Sequence, residues 1–261
     1  MLHSVPYFAV GLGYDMNIFY FPGHYYLFIR NVFRKPQRFA WFRKQLLYEI
    51  NSLGINSLPI ITIISLFMGA VITIQTAYNI DSPFIPLYAV GLATRDSIIL
   101  EFSPTIISLI LAGKVGSSIA SEIGTMRVTE QIDALEIMGI NSSSYLVLPK
   151  ILAAVLINPF LIILSMFLGI AGGWFFGVIA GSVTTTEYLY GIQYVFKPFY
   201  VFYALIKTLF FAFIITSISS YYGYYTSGGA LEVGSSSTKA VVYSSIFILV
   251  ANYILTQLLL A

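Results

Sequence analysis

Five long apolar runs decide what this chain can fold into. Short polar stretches separate the runs, which lie at about 54–78, 98–120, 149–181, 201–222 and 240–260. Each run is near or above the roughly 20 residues that a helix needs to cross about 30 Å of hydrocarbon. A membrane barrel would show alternating segments of about ten residues, whereas these runs are continuous. The pattern predicts an all-α polytopic membrane protein with five transmembrane helices.

The composition agrees with this class and excludes several functions. Charged residues make up 9% of the chain, against roughly 25% in soluble domains. The sequence has no cysteine, which excludes disulfides, thiolate metal sites and cysteine nucleophiles. It has no glycine-rich P-loop motif ending in Gly-Lys-Ser or Gly-Lys-Thr, and no His, Asp and Glu cluster has metal-ligand spacing. We therefore expect no catalytic residue, metal or cofactor in this chain.

Residues 30–53 form a basic segment ahead of the first run. It holds six of the chain's 13 Lys and Arg residues: Arg30, Arg34, Lys35, Arg38, Arg43 and Lys44. Aromatic and leucine side chains lie between them, which favours an amphipathic helix in the membrane interface. Nucleic-acid binding fits less well, because the segment is short and leads directly into a membrane span. We assign no role to the N-terminal extension, 1–29, and we treat 54–261 as the membrane domain.

The remaining basic residues predict the orientation of the chain. With a cytoplasmic N-terminus, the inner side receives the basic segment and also Lys114, Arg127, Lys150 and Lys239. The outer side then keeps Arg95, Lys197 and Lys207. Because Lys and Arg favour the cytoplasmic side, we expect a cytoplasmic N-terminus. Five spans then place the C-terminus on the outer side.

Charged side chains in and beside the runs are expected near the run ends. We expect Lys114 and Lys207 to anchor the chain at the membrane interface, where snorkelling lowers the cost of a charge. Glu101 and Lys114 lie about 20 Å apart along one helix and cannot pair with each other. Glu101 is either another anchor or part of a substrate cavity. Arg95 and Lys197 are expected to be anchors, with contact to a phosphate headgroup as the alternative.

The third run, 149–181, is the longest and carries a row of glycines. Pro149 fits the first turn of a helix, where its missing N–H costs nothing, and Pro159 should kink the helix. Glycines recur every four residues on one face: Gly169, Gly173, Gly177 and Gly181. Such rows let helix backbones approach closely in lipid. We expect this face to pack against another span of the same chain, with a homodimer seam as the alternative.

A charged segment at 122–139 separates the second and third runs and holds four of the chain's 11 acidic residues. At 100° per residue, one helix face collects the apolar residues Val128, Ile132 and Leu135. Arg127 lies three and four residues before Glu130 and Gln131, within reach of both. Gly139 and the NSSS that follows it are typical of a helix end. We predict an amphipathic surface helix that binds a soluble partner, because a passive connector needs neither this length nor an apolar face.

Two blocks of the sequence resemble the MlaE-type permease family. The first is LAGKVGSSIASEIGTMRVTEQIDALEIMGI followed by YLVLPKILA, and the second is GYYTSGGALEVGSSSTKAVVYS at 223–244. The resemblance is collinear from about residue 40 to the C-terminus. Members of this family are membrane subunits of ABC transporters that traffic lipids between membranes, and they include chloroplast envelope relatives.

The resemblance implies that the charged segment is a coupling helix, within 121–140, that docks on a cytoplasmic ATPase. Carried over position by position, the coupling residues are Glu122, Gly124, Arg127, Glu130, Gln131 and Glu136, and Asp133 joins them on the polar face. A homodimer in the bacterial inner membrane is also implied, with two ATPase subunits that bind ATP and Mg. A mammalian-cell-entry-type lipid-binding protein is the implied partner on the outer side.

Phospholipid is the implied substrate. The outer halves of the spans are mainly Ile, Leu, Phe and Tyr, which suit acyl chains because these need burial and few specific contacts. We place the cavity between protomers, with Glu101, Leu161 and Phe167 as candidate lining residues. Sterols or other hydrophobic compounds are the alternative within the family. An ion-coupled secondary transporter fits less well, because the sequence has no evident repeat and no carboxylate at mid-span.

Overall fold

The computed structural model describes residues 20–34, 39–80 and 85–260. Within these ranges the regular structure is helical throughout, which confirms the predicted all-α class. The α-helices are α1 Tyr20–Val32, α2 Phe39–Glu49, α3 Leu58–Asn79, α4 Tyr88–Ser97, α5 Ile107–Leu111, α6 Ser117–Val128, α7 Gln131–Ile137, α8 Ser142–Ile179, α9 Thr185–Gln193, α10 Phe199–Tyr224 and α11 Ala230–Leu260. Residues 1–19 of the predicted extension and 35–38 of the basic segment lie outside the described residues.

Five continuous helical stretches in the described ranges are long and apolar enough to cross a membrane. These spans 1 to 5 are Phe42–Asn79, Tyr88–Val128, Ser142–Ile179, Phe199–Tyr224 and Ala230–Leu260. The five-span prediction is therefore confirmed. Successive spans run in opposite directions, so α7 and the turn between α10 and α11 lie at one end of the bundle, the α7 end. Helix α9 and the connection from α3 to α4 lie at the other, the α9 end.

Helix α8 begins at Ser142 and not at Pro149. Asn141 precedes it, and its side-chain oxygen accepts a hydrogen bond from the backbone N–H of Ser144 at 3.3 Å. Because asparagine is a strong N-cap residue, NSSS starts a helix here. The preceding Gly139 does end α7, with a φ of +75°. Pro149 therefore lies about two turns inside α8, and its assignment to the first turn was wrong.

Spans 1 and 2 contain wider turns of π-helix. In span 1, the π-helical segment Ile50–Gly54 and the 3₁₀ turn Ile55–Ser57 connect α2 to α3. In span 2, Ile98–Ile106 and Ala112–Gly116 are π-helical, and Pro104 lies inside the first of them. Because π turns break the regular i to i−4 bonding and are frequent at functional sites, they direct attention to the side chains on these segments.

Helix α1 lies against the α7 end of α8 and α10. His24 Nδ1 is 2.9 Å from Tyr221 Oη, and Tyr25 Oη donates a hydrogen bond to Ser217 Oγ at 2.6 Å. Burial raises the pKa of the Tyr25 hydroxyl, and the bond to Ser217 offsets part of that rise. Phe28 is buried beneath the helix. The basic segment expected as one interfacial helix is thus shared between the end of α1 and α2, which continues into span 1.

The predicted row of glycines in α8 faces neighbours within the same chain. A Cβ added at Gly173 would lie 2.4 Å from the Thr73 side chain of α3, and one at Gly177 would lie 2.8 Å from it. A Cβ at Gly169 would lie 3.2 Å from a side chain of span 2. Gly181 differs from the other three because it follows the end of α8, with a φ of +70° and open space around a Cβ. Its place is at a helix end, where a left-handed residue favours glycine.

The closest approach of α3 and α8 occurs at two glycines that do not belong to the predicted row, Gly69 and Gly172. A Cβ at Gly69 would lie 1.8 Å from the carbonyl oxygen of Gly169, and a Cβ at Gly172 would lie 2.3 Å from that of Leu66. Because backbone atoms occupy these places, no side chain fits without moving one helix away from the other. Spans 1 and 3 therefore pack backbone against backbone, as small residues allow in membrane proteins.

Candidate functional site

An ion pair between a buried lysine and a half-exposed glutamate joins span 2 to span 4. Lys207 Nζ lies 2.7 Å from Glu101 Oε1, and Lys207 is 0% exposed, whereas the side chain of Glu101 is 42% exposed. Lys207 is therefore not an interface anchor, and that prediction was wrong. The physical reason is that Glu101, on the π-helical part of span 2, supplies a counter-charge from a neighbouring helix. Because the two charges lie on different helices, their spacing along the sequence does not reveal this contact.

Further polar side chains surround this pair. Glu101 Oε2 accepts hydrogen bonds from Asn252 Nδ2 at 3.0 Å and Thr105 Oγ1 at 3.1 Å. The Lys207 ammonium group lies 4.4 Å from the centre of the Tyr203 ring. We define the Glu101 cluster as Glu101, Thr105, Tyr203, Lys207, Asn252 and Thr256, the last of which lies 2.8 Å from Tyr203 Oη. Such additional hydrogen bonds are what a buried ion pair needs to offset the loss of water.

The Glu101 cluster combines a closed side with an open side. Its cation is enclosed by spans 2 and 4, and its carboxylate reaches the surface of the bundle next to α11. A polar group of a ligand could therefore meet Glu101 without displacing Lys207. Because the cluster pairs one positive with one negative charge, a ligand carrying both charges, or a neutral hydrogen-bonding group, suits it better than a simple ion.

Arg95, at the α9 end, is a buried structural residue. It is 2% exposed, its side chain pairs with Asp96 at 2.8 Å, and it donates to the carbonyl oxygens of Ile192 at 2.6 Å and Tyr194 at 2.9 Å. These bonds hold the end of α9 against α4. Both predicted roles, interface anchor and phosphate contact, are therefore wrong. The guanidinium satisfies carbonyl groups that a short helix leaves free at its C-terminus.

Other predicted membrane residues lie in different surroundings. Leu161 is buried in the core of the bundle, whereas Phe167 is exposed on the outer face of α8. Lys114 is exposed on the second π-helical segment of span 2 and donates to the carbonyl oxygen of Asn56. Lys197 is exposed at the α9 end, 5.7 Å from the Tyr200 ring.

The charged segment forms two helices and not the single helix predicted. Helix α6 ends at Val128, and Glu130, with a left-handed φ of 59°, precedes α7. The chain changes direction there, so Arg127 pairs with Asp133 at 2.5 Å, although the helical spacing had suggested Glu130 and Gln131 as its partners. A helical repeat assumes unbroken backbone geometry, and one left-handed residue removes that assumption.

Helix α7 is attached to the bundle on one side and exposed on the other. Ile132 is fully buried beneath it, and Glu136 accepts hydrogen bonds from Ser142 Oγ at 2.8 Å and Tyr224 Oη at 2.9 Å. On the opposite side Ile137 is 88% exposed and Met138 is 65% exposed. Exposed apolar side chains that lie beside charged ones form a surface suited to binding another protein.

The remaining predicted coupling residues occupy three different settings. Gln131 and Glu130 are exposed, and Gln131 Nε2 donates to Thr129 Oγ1 at 3.0 Å. Gly124 is buried, and a Cβ there would lie 3.2 Å from a side chain of the turn after α10. Glu122 forms an ion pair with Lys150 of α8 at 2.8 Å. Only some of the predicted coupling residues are therefore exposed enough to contact another protein directly.

Comparison with known proteins decides the family. The family model described as Permease MlaE matches residues 46–258 of the chain. The chain belongs to the MlaE permease family. The match begins within α2 and ends near the end of α11, so it includes all or most of each span, the charged segment and the Glu101 cluster.

Relatives of this MlaE permease occur in bacteria and a plant. A probable ABC transporter permease protein of Rickettsia bellii is 40% identical over 230 residues, 88% of this chain and 87% of the relative. A probable ABC transporter permease protein of Synechocystis is 38% identical over 83% of this chain and 82% of its own length. Protein TRIGALACTOSYLDIACYLGLYCEROL 1, chloroplastic, of Arabidopsis thaliana is 31% identical over 81% of this chain and 60% of its own length. The chain is thus an ABC transporter permease subunit that spans the membrane several times.

Sequence reasoning missed several polar side chains of this MlaE permease. Glu49, Tyr203, Asn252 and Thr256 all contact charged or polar partners on other helices. The signal available in the sequence was a carboxylate, an amide and hydroxyl groups inside or beside apolar runs, which are costly in lipid unless they find partners. Their partners could not be named, because Lys207 lies 106 residues from Glu101 and Lys150 lies 101 residues from Glu49.

Proposed function

We propose that this MlaE permease moves phospholipid between membranes, and that a separate ATPase subunit drives the movement. The observation that carries the proposal is the Glu101 cluster, a partly open polar group on a bundle whose membrane-facing surface is largely apolar. A phospholipid has this same division into a charged headgroup and apolar chains. The Arabidopsis relative is named after a glycerolipid, trigalactosyldiacylglycerol, which supports a lipid substrate.

The outward faces of the spans support the acyl-chain half of this proposal. Large apolar side chains are exposed along α3, α8 and α11, among them Phe67, Phe160, Phe167, Phe247 and Leu258. Acyl chains need such walls and make few directional contacts. A water-soluble substrate would lose hydration along this path, and each polar group left without a hydrogen bond costs several kcal/mol. Phospholipid is therefore the substrate class that the surface favours.

The α7 end supports the ATPase half. We propose that Ile137 and Met138 enter a groove on the ATPase, which binds MgATP, and that Glu130 and Gln131 lie at the rim of the contact. In this arrangement two permease copies form a homodimer and each receives one ATPase subunit. On the opposite side of the membrane, a mammalian-cell-entry-type protein would receive or deliver the lipid.

The proposal places the α7 end in the cytoplasm of a bacterium, with the permease in the inner membrane. Single cysteines can test this, because the chain has none of its own. Leu231→Cys, at the start of α11, should be labelled by an impermeant maleimide only from the cytoplasmic side, and Thr185→Cys only from the outer side. Both positions are exposed. Labelling of both cysteines from one side would contradict the orientation.

Lipid and ATPase binding can be tested together on the complex purified from membranes after co-expression with its ATPase. We expect native mass spectrometry to detect phospholipid on the permease dimer, and we expect phospholipid to stimulate ATP hydrolysis. Ile137→Glu should reduce the amount of co-purified ATPase at least about tenfold, since it places a charge in an apolar contact. Tyr78→Glu is the matched control, because Tyr78 is 83% exposed near the opposite end.

Two outcomes would overturn parts of this proposal. A lipid-free dimer whose ATPase is stimulated by a water-soluble solute would exclude phospholipid transport, and a bound sterol would change the substrate class. Co-purification of the ATPase with the Ile137→Glu protein at the level of the Tyr78→Glu control would exclude α7 as its docking surface.

A further inference from the structure

A buried lysine at the α7 end connects three helices. Lys150 Nζ of α8 lies 2.8 Å from Glu49 Oε1 of α2 and 2.8 Å from Glu122 Oε2 of α6. Lys150 is 2% exposed and Glu49 is 1% exposed. We call these residues the Lys150 triad. Neither the Glu101 cluster nor the exposed surface of α7 includes any of them.

The two arms of the Lys150 triad differ in accessibility. The Glu49 arm is enclosed, and Glu49 Oε1 also accepts a hydrogen bond from Gln45 Nε2 at 3.0 Å. The Glu122 side chain is 49% exposed. Separating Glu49 from Lys150 would leave a carboxylate buried without a counter-charge, which is strongly unfavourable. Glu122 can instead take up water when it leaves Lys150, and Lys150 then keeps Glu49 as its partner.

The two glutamates of the Lys150 triad lie on helices that would respond differently to a movement of α7. Glu122 lies on α6, which leads into the left-handed Glu130 and α7, and the Arg127–Asp133 ion pair joins α6 to α7. Glu49 is the last residue of α2, immediately before the π-helical segment of span 1. A displacement of α7 that is carried along α6 would therefore change the contact between Glu122 and Lys150. A change in that contact is passed through Lys150 to span 3 and, through Glu49, to the start of span 1.

We propose that Glu122 is a positioning residue that acts through Lys150: its contact with Lys150 transmits movement of α6 and α7 to spans 1 and 3. This inference rests on the proposed function, in which an ATPase moves α7. It assigns Glu122 a role different from the direct ATPase contact that the sequence suggested. An ion pair suits such a role because it can open and close without repacking apolar side chains.

The test uses the complex of permease and ATPase reconstituted in phospholipid vesicles. Glu122→Gln keeps the size of the side chain and removes its charge. We expect the variant to bind the ATPase in the wild-type ratio and to show phospholipid movement about tenfold slower, within the range of typical coupling energies. Addition of phospholipid should no longer stimulate its ATP hydrolysis. Glu187→Gln, on α9, is the matched control and should behave as wild type, because glutamine can also complete the capping box at that helix start.

Variants of the lysine separate coupling from folding. Lys150→Arg retains the charge and should retain coupling. Lys150→Met alone leaves Glu49 buried without a partner, so it is combined with Glu49→Gln, which removes both buried charges. We expect this double variant to fold, to bind the ATPase and to lose phospholipid stimulation, as Glu122→Gln does.

A spin-label measurement provides a readout that a purely structural role would not change. Labels at Tyr48→Cys on α2 and Thr125→Cys on α6 occupy exposed positions. We expect ATP binding to change their separation in the wild-type complex, because the contact between Glu122 and Lys150 opens and closes as α7 moves. In the Glu122→Gln complex, which lacks this ion pair, we expect no such change when ATP binds.

Three outcomes would overturn the inference, and they have different meanings. Wild-type phospholipid movement in the Glu122→Gln complex would show that the contact does not transmit movement. Loss of ATPase binding in that variant would make Glu122 a direct contact. A wild-type complex that moves no phospholipid would overturn the proposed function itself, and the inference with it.

Discussion

Replacing Glu101 by glutamine is expected to lower the free energy of unfolding by about 3–5 kcal/mol, since it leaves a buried ammonium group without a counter-charge. Lys207→Met should have a smaller effect, because the half-exposed Glu101 keeps its hydrogen bonds to Asn252 and Thr105. The double variant Glu101→Gln/Lys207→Met should recover most of the lost stability, because no unpaired charge remains. Titration of the purified permease with SDS, followed by circular dichroism, measures the three values.

The same variants distinguish a structural role of the Glu101 cluster from a role in binding. If the cluster receives a headgroup, the double variant should be nearly as stable as wild type but should carry less phospholipid in native mass spectrometry. The ion pair would be contradicted if the double variant lost as much stability as the two single variants together, because coupled residues show a large interaction energy in a double-mutant cycle. Thr238→Ala is the control, because Thr238 is exposed on α11 and far from the cluster, and this variant should keep wild-type stability and bound phospholipid.

Alanine substitutions of glycine between α3 and α8 are expected to follow the space available at each position. Gly69→Ala should be the most disruptive, because its Cβ would lie 1.8 Å from a backbone oxygen, followed by Gly172→Ala at 2.3 Å. Overpacking of this kind typically costs about 1–3 kcal/mol, and Gly69→Ala should lie at or above the upper limit. Gly169→Ala should cost less, because its nearest neighbour is a side chain at 3.2 Å.

Gly113 is the matched control for this series. It lies in span 2, and a Cβ there would have no neighbour within 4 Å. Gly113→Ala should leave stability unchanged or raise it by up to about 1 kcal/mol, as alanine favours a helix over glycine. The yield of folded protein after detergent extraction and its melting temperature measure the series. Equal stability of the Gly69→Ala and Gly113→Ala proteins would show that the backbones of α3 and α8 do not approach each other closely at Gly69.

Span 2 connects the two polar groups on which the functional proposals depend. Glu101 and Glu122 lie on this one continuous helical stretch, about 30 Å apart at 1.5 Å per residue. The second π-helical segment, Ala112–Gly116, lies between them. A helix that carries both the candidate headgroup contact and the arm nearest α7 is well placed to relate ATPase movement to lipid binding.

The sequence alone determined the class of this protein, its number of spans and its family. Apolar length is a local property, because the bilayer requires about 20 apolar residues of any helix that crosses it. The collinear motifs around the charged segment also follow from the sequence alone, and the match over 46–258 confirms the family they suggested. The apolar face of α7 is a similar case, because the inward position of Ile132 follows from the helical repeat.

Only the tertiary structure decided the partners of the charged and small residues. Lys207 and Lys150 are buried because carboxylates more than 100 residues away meet them from neighbouring helices. Gly69 and Gly172 matter because another backbone passes over them. The break at Glu130 depends on a single left-handed residue that the helical repeat does not encode. In each case the deciding interaction joins distant parts of the chain or departs from regular backbone geometry, whereas composition and periodicity report only on neighbours along a regular helix.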